Sequence, residues 1–300
     1  MSVPLRSILF VPGDSERKIE KSRGSNADAL VYDLEDSVAE ARKPLARQMI
    51  ADYLKTATPK AGVAQWVRIN PLTSAECLHD LAAIVAGRPA GILVPKAEGP
   101  ADLLRVSYYL DVMEAREGVP AGSIKVMPVA TEIARAPFTL GDYATAGLTR
   151  LFGITWGAED LSADIGAASN TDEDGQLSLT YRTVRSLMLL AAKACKVEAV
   201  ETVHPDFRDS AGLRRNSIAA RREGFTGRFA IHPDQVDVIN EAFSPSADDI
   251  AFAEQVVAAF AAQPDAGAVG VDGKMLDKPH LTQARKVLAM RDAFAARMPA

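Results

Sequence analysis

The sequence has few cysteines, histidines and aromatic residues, and it has no long apolar run. Its 300 residues include two cysteines, four histidines and 6% aromatic residues. Neither Cys77 nor Cys195 lies in a CxxC motif or in a Cys/His cluster with metal-ligand spacing, so we expect two reduced thiols in a cytoplasmic protein and no zinc site. No apolar run is long enough to span a bilayer, and we find no signal peptide with a cleavage site.

Positive charge is also scarce. The chain carries 34 Lys and Arg residues against 39 Asp and Glu residues, for a net charge of −5. Proteins that bind nucleic acids or membrane surfaces usually carry an excess of positive charge. We therefore predict neither kind of partner. The sequence also lacks a GxSxG motif and a credible Ser-His-Asp spacing, so nucleophilic hydrolysis is not supported.

Apolar residues make up 48% of the chain and fall into a regular order. Eight short apolar runs are each followed by a longer segment of helical composition, and several runs show no apolar/polar alternation, as expected for strands buried on both faces. Eight such units predict a (β/α)8 barrel, an α/β fold. A doubly wound sheet is the alternative, although no GxGxxG follows the first strand. The predicted strands are 7–11, 29–34, 65–69, 91–94, 125–130, 151–155, 199–203 and 229–231.

The last part of the chain departs from this pattern. A helix start is predicted at Ser246, with Asp248 and Asp249 in its first turn. A glycine-rich hairpin is then predicted within 264–279, and a helix over about 279–297. We therefore assign residues 1–243 to the barrel and residues 244–300 to a C-terminal helix-hairpin-helix arm.

Charged residues follow several of the predicted strands. Glu132 follows strand five and Asp160 follows strand six, and in a barrel these strand ends meet on one rim, where active sites lie. Two carboxylates there could hold Mg²⁺, which favours oxygen ligands. Alternatively, the two acids cap the following helices or pair with Arg135 and Arg150.

Arg68 follows the apolar residues QWV at the end of strand three. Its planar guanidinium suits a carboxylate or an enolate oxygen. The alternative is a structural pair with Asp33, Glu35 or Asp36, and the two interpretations are compatible because a structural acid can orient a catalytic arginine.

The first predicted helix has a basic face formed by Arg17, Lys18, Lys21 and Arg23. Such a face is either a solvated surface or a clamp for a nucleotide phosphate at the rim.

Nine motifs, taken in order, carry a resemblance to a known family over about residues 5–297. The chain resembles the citrate lyase β-subunit-like group of CoA-ester lyases, in the HpcH/HpaI aldolase superfamily, which includes malyl-CoA and citramalyl-CoA lyases. The motifs are SILFVPGDSERKIEK, VYDLEDSV, VRIN, LVPKAE, TEIARA, TWGAEDLSADIGA, HPDFRDSAGLRRNS, GFTGRFAIHPDQV and FSPSADDIAFAEQVVAAF.

The resemblance implies a barrel enzyme that uses Mg²⁺, with Mn²⁺ as an alternative ion. Glu132 and Asp160 match the metal-binding acids, and Arg68 matches the substrate-contacting arginine. Asp277 matches an acid that malyl-CoA-type members use as catalytic acid/base. On this basis we predict three catalytic residues, Arg68, Glu132 and Asp277.

The resemblance also implies how the substrate and the subunits are held. Arg17 and Lys21 match basic positions that hold the CoA moiety. We predict substrate contacts from these two residues and from Arg68, Glu132 and Asp36. In this family the C-terminal arm reaches over a neighbouring barrel, which implies a homotrimer or hexamer.

The expected reaction is a reversible, Claisen- or aldol-type cleavage of a 3-hydroxyacyl-CoA, such as malyl-CoA or citramalyl-CoA, to acetyl-CoA and a 2-oxo acid. The alternatives are a class II pyruvate-type aldolase acting on free keto acids, a malyl-CoA thioesterase, a citrate lyase-like subunit acting on a carrier-protein thioester, and a non-catalytic binding protein. Two departures from the family, the bulky Thr155-Trp156 pair and the acidic loop 169–175, leave the acyl group open.

Overall fold

The computed structural model describes residues 4–56, 60 and 62–296. Eight parallel strands form one sheet, in the order β5-β4-β3-β2-β1-β8-β7-β6. The edge strands meet through short bridges, in which Ala130 N–H donates to Thr155 O and Phe152 N–H donates to Val126 O, each at 2.9 Å. The predicted (β/α)8 barrel is thereby confirmed. The strands are β1 (Ser7–Pro12), β2 (Ala29–Asp33), β3 (Ala64–Arg68), β4 (Gly91–Val94), β5 (Lys125–Pro128), β6 (Gly153–Thr155), β7 (Glu198–Glu201) and β8 (Gly227–Ala230).

Helices cover the outside of the barrel. After β5 the described chain forms a 3₁₀ helix, Ala136–Ala144, with a proline in its first turn, where the repeat predicts an α-helix. Pro137 and Gly141 both disfavour a regular α-helix there. Two other short 3₁₀ helices are Glu40–Arg42 and Val85–Gly87. The α-helices are α1 (Glu16–Ser22), α2 (Lys43–Thr56), α3 (Glu76–Ile84), α4 (Pro100–Glu117), α5 (Glu159–Ile165), α6 (Leu179–Ala194), α7 (Ser210–Glu223) and α8 (Gln235–Phe243).

The core has two parts because the strands are buried on both faces. One cluster fills the barrel interior and includes Ile8, Val31, Leu93, Val200 and Phe229. A larger cluster lies between the strands and the helices. Since the interior is packed with apolar side chains, polar groups reach solvent at the ends of the strands, as in other barrels of this type.

The C-terminal segment forms the predicted helix, hairpin and helix. These are α9 (Ala247–Ala262), β9 (Ala268–Val271), β10 (Lys274–Asp277) and α10 (Lys278–Ala295), and β9 and β10 pair antiparallel. Ser246 and Asp249 form a capping box at the start of α9, which confirms the predicted start. Residue 297, where the last helix is predicted to end, lies outside the described residues.

This segment has a hydrophobic cluster of its own. Val256 and Phe260 of α9 pack there with Val269, Leu276 and Ala284. No helix of the described residues combines the length and apolar character needed to cross a bilayer.

Several contacts attach the segment to the barrel, and two of them involve its helices α9 and α10. Arg221 Nη1 lies 2.9 Å from Asp249 Oδ2, and the Arg6 guanidinium lies 4.3 Å from the centre of the Phe294 ring. Arg6 directly precedes β1, so the second contact lies at the amino-terminal end of the barrel, opposite the rim.

Candidate active site at the barrel rim

A cavity of about 110 Å³ lies at the carboxyl ends of the strands, and we call it the rim cavity. Arg68, Glu132 and Asp160 all line it. Phe10, Leu93, Val129 and Phe229 provide its apolar part. The structure therefore brings together three of the predicted site residues from the ends of β3, β5 and β6.

Glu132 is almost completely buried, at 5% exposure. Its Oε2 accepts a hydrogen bond from the Lys96 backbone N–H at 2.6 Å. Burial, assisted by the nearby Asp160 and Glu35 carboxylates, raises the pKa of Glu132 to about 8. The carboxyl thus lies in a place where its negative charge is poorly compensated by the described residues.

Gly157 provides the room for this carboxyl. A Cβ atom at position 157 would lie 2.7 Å from Glu132 Cγ and 3.0 Å from its Oε1. The Gly157 N–H also donates to Thr131 Oγ1 at 3.2 Å, which joins the turn after β6 to the end of β5. Any side chain at this position would push Glu132 out of the cavity.

Lys96 was not among the predicted site residues, yet its ammonium lies among the acids of the rim. Its Nζ is 2.5 Å from Glu35 Oε1, 3.1 Å from Asp36 Oδ2 and 3.3 Å from Asp160 Oδ1. Its backbone has φ of +49°, a left-handed conformation that is uncommon outside glycine and often marks functional sites. Lys96 follows β4 in the motif LVPKAE. Its position directly after a strand is the sequence feature that could have identified it as a site residue.

Arg68 forms the structural pairs that the sequence offered as an alternative. Its Nε and Nη2 bind Asp33 in a bidentate pair at 2.7 and 2.6 Å. Its Nη1 lies 2.9 Å from Glu35 Oε2, and its guanidinium lies 4.8 Å from the centre of the Phe10 ring. Although burial opposes the charge, Asp33 and Glu35 raise the pKa of Arg68 above its ordinary value. These pairs hold the Arg68 side chain in place, and the same side chain lines the rim cavity.

Arg135 and Arg150, the other proposed partners of the two acids, pair elsewhere. Arg135 Nη1 lies 3.5 Å from Glu98, and Arg150 is bound by Glu114 and Asp111 at 2.6 and 2.5 Å. No side-chain cap is found at the start of α5. Glu132 and Asp160 therefore take neither alternative role within the described residues.

The described residues contain no cluster of three or more His, Cys, Asp or Glu side chains suited to a metal. Mg²⁺, however, commonly takes one or two protein carboxylates and completes its octahedron with water and substrate oxygens. Glu132 offers a buried carboxyl with a raised pKa next to a second acid, and a divalent cation would relieve the repulsion between the two. The acid pair therefore fits Mg²⁺.

The predicted CoA-binding residues lie on α1. Arg17 and Lys21 are exposed and four residues apart, so they share one face of the helix. Neither forms an ion pair with a described residue, whereas Arg23 pairs with Glu20 at 3.1 Å. The Arg17 guanidinium and the Lys21 ammonium are therefore available to bind an anion.

Asp277 does not line the rim cavity of its own chain. It begins α10, where its Oδ1 lies 2.5 Å from His280 Nδ1, and its side chain is 56% exposed. The hydrogen bond from His280 holds the pKa of Asp277 below its ordinary value. No described contact joins Asp277 to Arg68, Glu132 or Asp160.

The fold is a (β/α)8 barrel with acids at its rim, and the sequence comparison places the chain in a family of barrel lyases and aldolases. The chain belongs to the HpcH/HpaI aldolase/citrate lyase family, whose model matches residues 6–233. This match confirms the resemblance seen in the nine motifs.

Individual relatives cover nearly the whole chain. A (3S)-malyl-CoA thioesterase of Cereibacter sphaeroides is 35% identical over 98% of this chain and 96% of its own length. A mitochondrial citramalyl-CoA lyase of Rattus norvegicus is 35% identical over 96% of this chain and 86% of its own.

Among solved structures, one of CitE from Mycobacterium tuberculosis in complex with magnesium, acetoacetate and coenzyme A superimposes with a TM-score of 0.78. It is 33% identical and is matched over 96% of this chain and 98% of that chain.

Proposed function

We propose that the chain is a Mg²⁺-dependent CoA-ester lyase that reversibly cleaves a 3-hydroxyacyl-CoA, such as malyl-CoA or citramalyl-CoA, to acetyl-CoA and a 2-oxo acid. The main support is the acid pair of the rim cavity, in which buried Glu132 with its raised pKa lies beside Asp160. Relatives named for malyl-CoA and citramalyl-CoA, and a similar CitE structure that holds magnesium and coenzyme A, support the substrate class.

Glu132 and Asp160 are the proposed metal ligands. Bound Mg²⁺ would supply Lewis-acid polarisation of the substrate oxygens. The burial of Glu132 also keeps water away from one side of the cavity, which strengthens electrostatic interactions within it. Mn²⁺ has similar ligand preferences and is the proposed substitute.

Arg68 is the proposed stabiliser of the negative charge that develops on the thioester. In the cleavage direction the substrate hydroxyl loses its proton, the C–C bond breaks, and its electrons pass to a thioester enolate. Asp33 and Glu35 already hold the guanidinium in place, so no reorganisation is needed when the charge forms. Loss of one such contact typically raises the barrier by roughly 3 kcal/mol.

Asp277 is the proposed acid/base that protonates the enolate carbon, or removes that proton in the synthetic direction. Because Asp277 does not line the rim cavity of its own chain, it would have to come from a neighbouring subunit. We therefore propose that the arm, residues 244–300, packs on the barrel of a neighbour in a homotrimer or hexamer. Asp36, half exposed at the rim, is a proposed substrate contact together with Arg17 and Lys21.

Mixed oligomers test the placement of Asp277. Asp277→Ala and Glu132→Gln chains are each expected to be inactive alone. Unfolded and reassembled together at equal amounts, they should recover about a quarter of wild-type activity, because half of the barrels and half of the neighbouring arms are intact. Failure to recover activity in oligomers shown to contain both chains would contradict a shared site.

A panel of substrates tests the reaction itself. Malyl-CoA, citramalyl-CoA and free hydroxy-keto acids are incubated with the protein and Mg²⁺ or with EDTA, and the products are identified by mass. Acetyl-CoA with glyoxylate or pyruvate, formed only with Mg²⁺ and lost in Asp160→Asn, supports the lyase. Turnover of the free acids alone would indicate the aldolase.

The relative named a malyl-CoA thioesterase makes hydrolysis the second candidate. Free CoA and malate without glyoxylate would identify it. The same panel with an acyl carrier-protein thioester distinguishes a carrier-dependent subunit, which would turn over that substrate and leave the CoA esters untouched.

A further inference from the structure

A second, larger cavity lies beside strands β6 to β8 and adjoins the rim cavity, with which it shares Trp156, Ala158, Glu159, Thr202 and Val203. Its volume is about 460 Å³, and we call it the flank cavity. Its walls combine apolar surface from Trp156, Leu177 and Pro205 with polar groups from Arg228 and His204. A volume of this size and a mixture of apolar and polar walls are typical of sites for small organic ligands.

Arg228 is the unusual group in this wall. It is only 5% exposed, and its guanidinium makes no hydrogen bond to any residue that the structure describes; its buried Nε has no partner. The nearest carboxylate oxygen, Glu201 Oε2, lies 3.9 Å from Nη2, beyond hydrogen-bond distance. A buried charge without a hydrogen-bonded partner is costly.

Glu201 is not available to neutralise Arg228 because other groups already occupy it. Its Oε1 accepts hydrogen bonds from Trp156 Nε1 at 2.6 Å and from the Thr202 N–H at 2.9 Å. Its Oε2 accepts from Arg185 Nε at 2.7 Å. Arg185 is paired a second time with Glu223. The buried positive charge of Arg228 therefore remains without a close counterion in this wall, whereas Arg182, which also lines the cavity, is exposed to solvent.

His204 lies near the same group. Its Nε2 is buried without a hydrogen-bond partner and lies 3.6 Å from Asp209 Oδ2. Burial, together with the charge of Arg228, lowers the pKa of His204. The guanidinium of Arg228, with the His204 side chain lining the same cavity, is a suitable partner for a carboxylate.

We propose that the flank cavity is a second binding site, next to the rim cavity, for a small organic acid whose carboxylate pairs with Arg228, which does not line the rim cavity. A monoanion is favoured over a phosphate dianion because Glu201 and Glu223 also line the cavity, and they would repel the second negative charge. The apolar wall would receive the hydrocarbon part of the acid. This proposal is independent of the reaction at the rim.

The test uses the purified full-length protein in EDTA, so that the metal-dependent rim site is not loaded. Propionate, benzoate and, as inorganic controls, chloride and phosphate are titrated at constant ionic strength. Binding is measured by calorimetry and by the shift of thermal unfolding. We expect saturable binding of at least one carboxylate, at one site per chain, and a rise in Tm.

Substitutions test whether the carboxylate binds at Arg228 in the flank cavity. Arg228→Met should weaken the carboxylate at least about tenfold and abolish the rise in Tm. Arg182→Gln, which removes an exposed arginine of the same cavity, and Asp160→Asn, which alters the rim, are the controls and should bind nearly as wild type. Ala219→Phe keeps Arg228 and places a bulky side chain in the lining of the cavity, so it should also weaken binding, even if Arg228→Met fails to fold.

Three results would overturn the proposal. The first is the absence of carboxylate binding to the folded wild-type protein. The second is equal binding by wild type and by Ala219→Phe or Arg228→Met. The third is loss of the carboxylate in Asp160→Asn with retention in Arg228→Met, which would place the ligand at the rim.

Discussion

Arg68 and Arg228 are two buried arginines in opposite situations. Their side chains are 14% and 6% exposed, yet Arg68 has two carboxylates within 2.9 Å, whereas the closest one to Arg228 is at 3.9 Å. Asp33 and Glu35 raise the pKa of Arg68 against the effect of burial, while burial lowers that of Arg228. A paired arginine is part of the fold, and an unpaired one suggests that its counterion arrives from outside.

The largest expected effect is the difference in stability between the two arginine substitutions. Arg68→Met leaves Asp33 buried without its charged partner and removes one of the two described cations that pair with Glu35, so it should lower the free energy of unfolding by about 3–5 kcal/mol. Arg228→Met removes an unpaired charge and should be neutral or stabilising without ligand. Urea unfolding in EDTA measures both. Equal destabilisation by the two substitutions would contradict the proposed difference between the paired Arg68 and the unpaired Arg228.

Glu132→Gln tests the rim cavity, because it removes the charge of a proposed metal ligand and leaves the ion pairs of Arg68 in place. The kcat for CoA-ester cleavage should fall by about 10²–10³-fold, as for the loss of a preorganised charge contact, and Mg²⁺ affinity should fall with it. Stability in EDTA should not decrease, since the buried acid is itself unfavourable there. An unchanged kcat would exclude Glu132 from the site.

The pH dependence of stability has an expected sign. Burial raises the pKa of Glu132 from 4.5 to about 8, so between these values the folded state holds a proton that the unfolded state releases. The free energy of unfolding in EDTA should therefore fall as pH rises through this window. Saturating Mg²⁺ should reduce this slope because it binds the ionised carboxyl. A slope that persists unchanged in Glu132→Gln would assign it to other groups.

The smallest effect is expected on α1, where the charges are exposed. Arg17→Gln with Lys21→Gln should raise KM for a CoA ester several-fold and leave kcat nearly unchanged, and added salt should diminish the difference. Lys18→Gln is the matched control on the same helix. A comparable change in kcat would indicate that these residues act on the chemistry and not on CoA binding alone.

The fold was predictable because the strands are continuous apolar runs with clear ends. Strand β4 was predicted with its observed bounds, 91–94, where Gly91 and Pro95 delimit it. The 3₁₀ helix after β5 was not predicted, because the β/α repeat alone does not take account of the proline and glycine that disfavour an α-helix in this segment. In each of the other strands at least one end differed from the prediction, by one or two residues, since pairing with neighbours decides where a strand stops.

The site was only partly predictable. The order of strands placed Arg68, Glu132 and Asp160 on one rim, and they line one cavity. Lys96 was missed because a lysine after a strand is normally a solvated charge, and its contacts with three acids depend on tertiary structure. Arg228 was missed for a related reason, since no sequence pattern tells whether a buried arginine has a partner.

Trp156 lines both the rim cavity and the flank cavity, and the chain has one other tryptophan, Trp66, inside the barrel. A Trp66→Phe protein would therefore carry a single indole fluorophore shared by the two compartments. Its emission would report occupancy of either side without any attached dye. Rapid-mixing traces of such a protein could reveal whether events on one side of β6 alter the timing of those on the other.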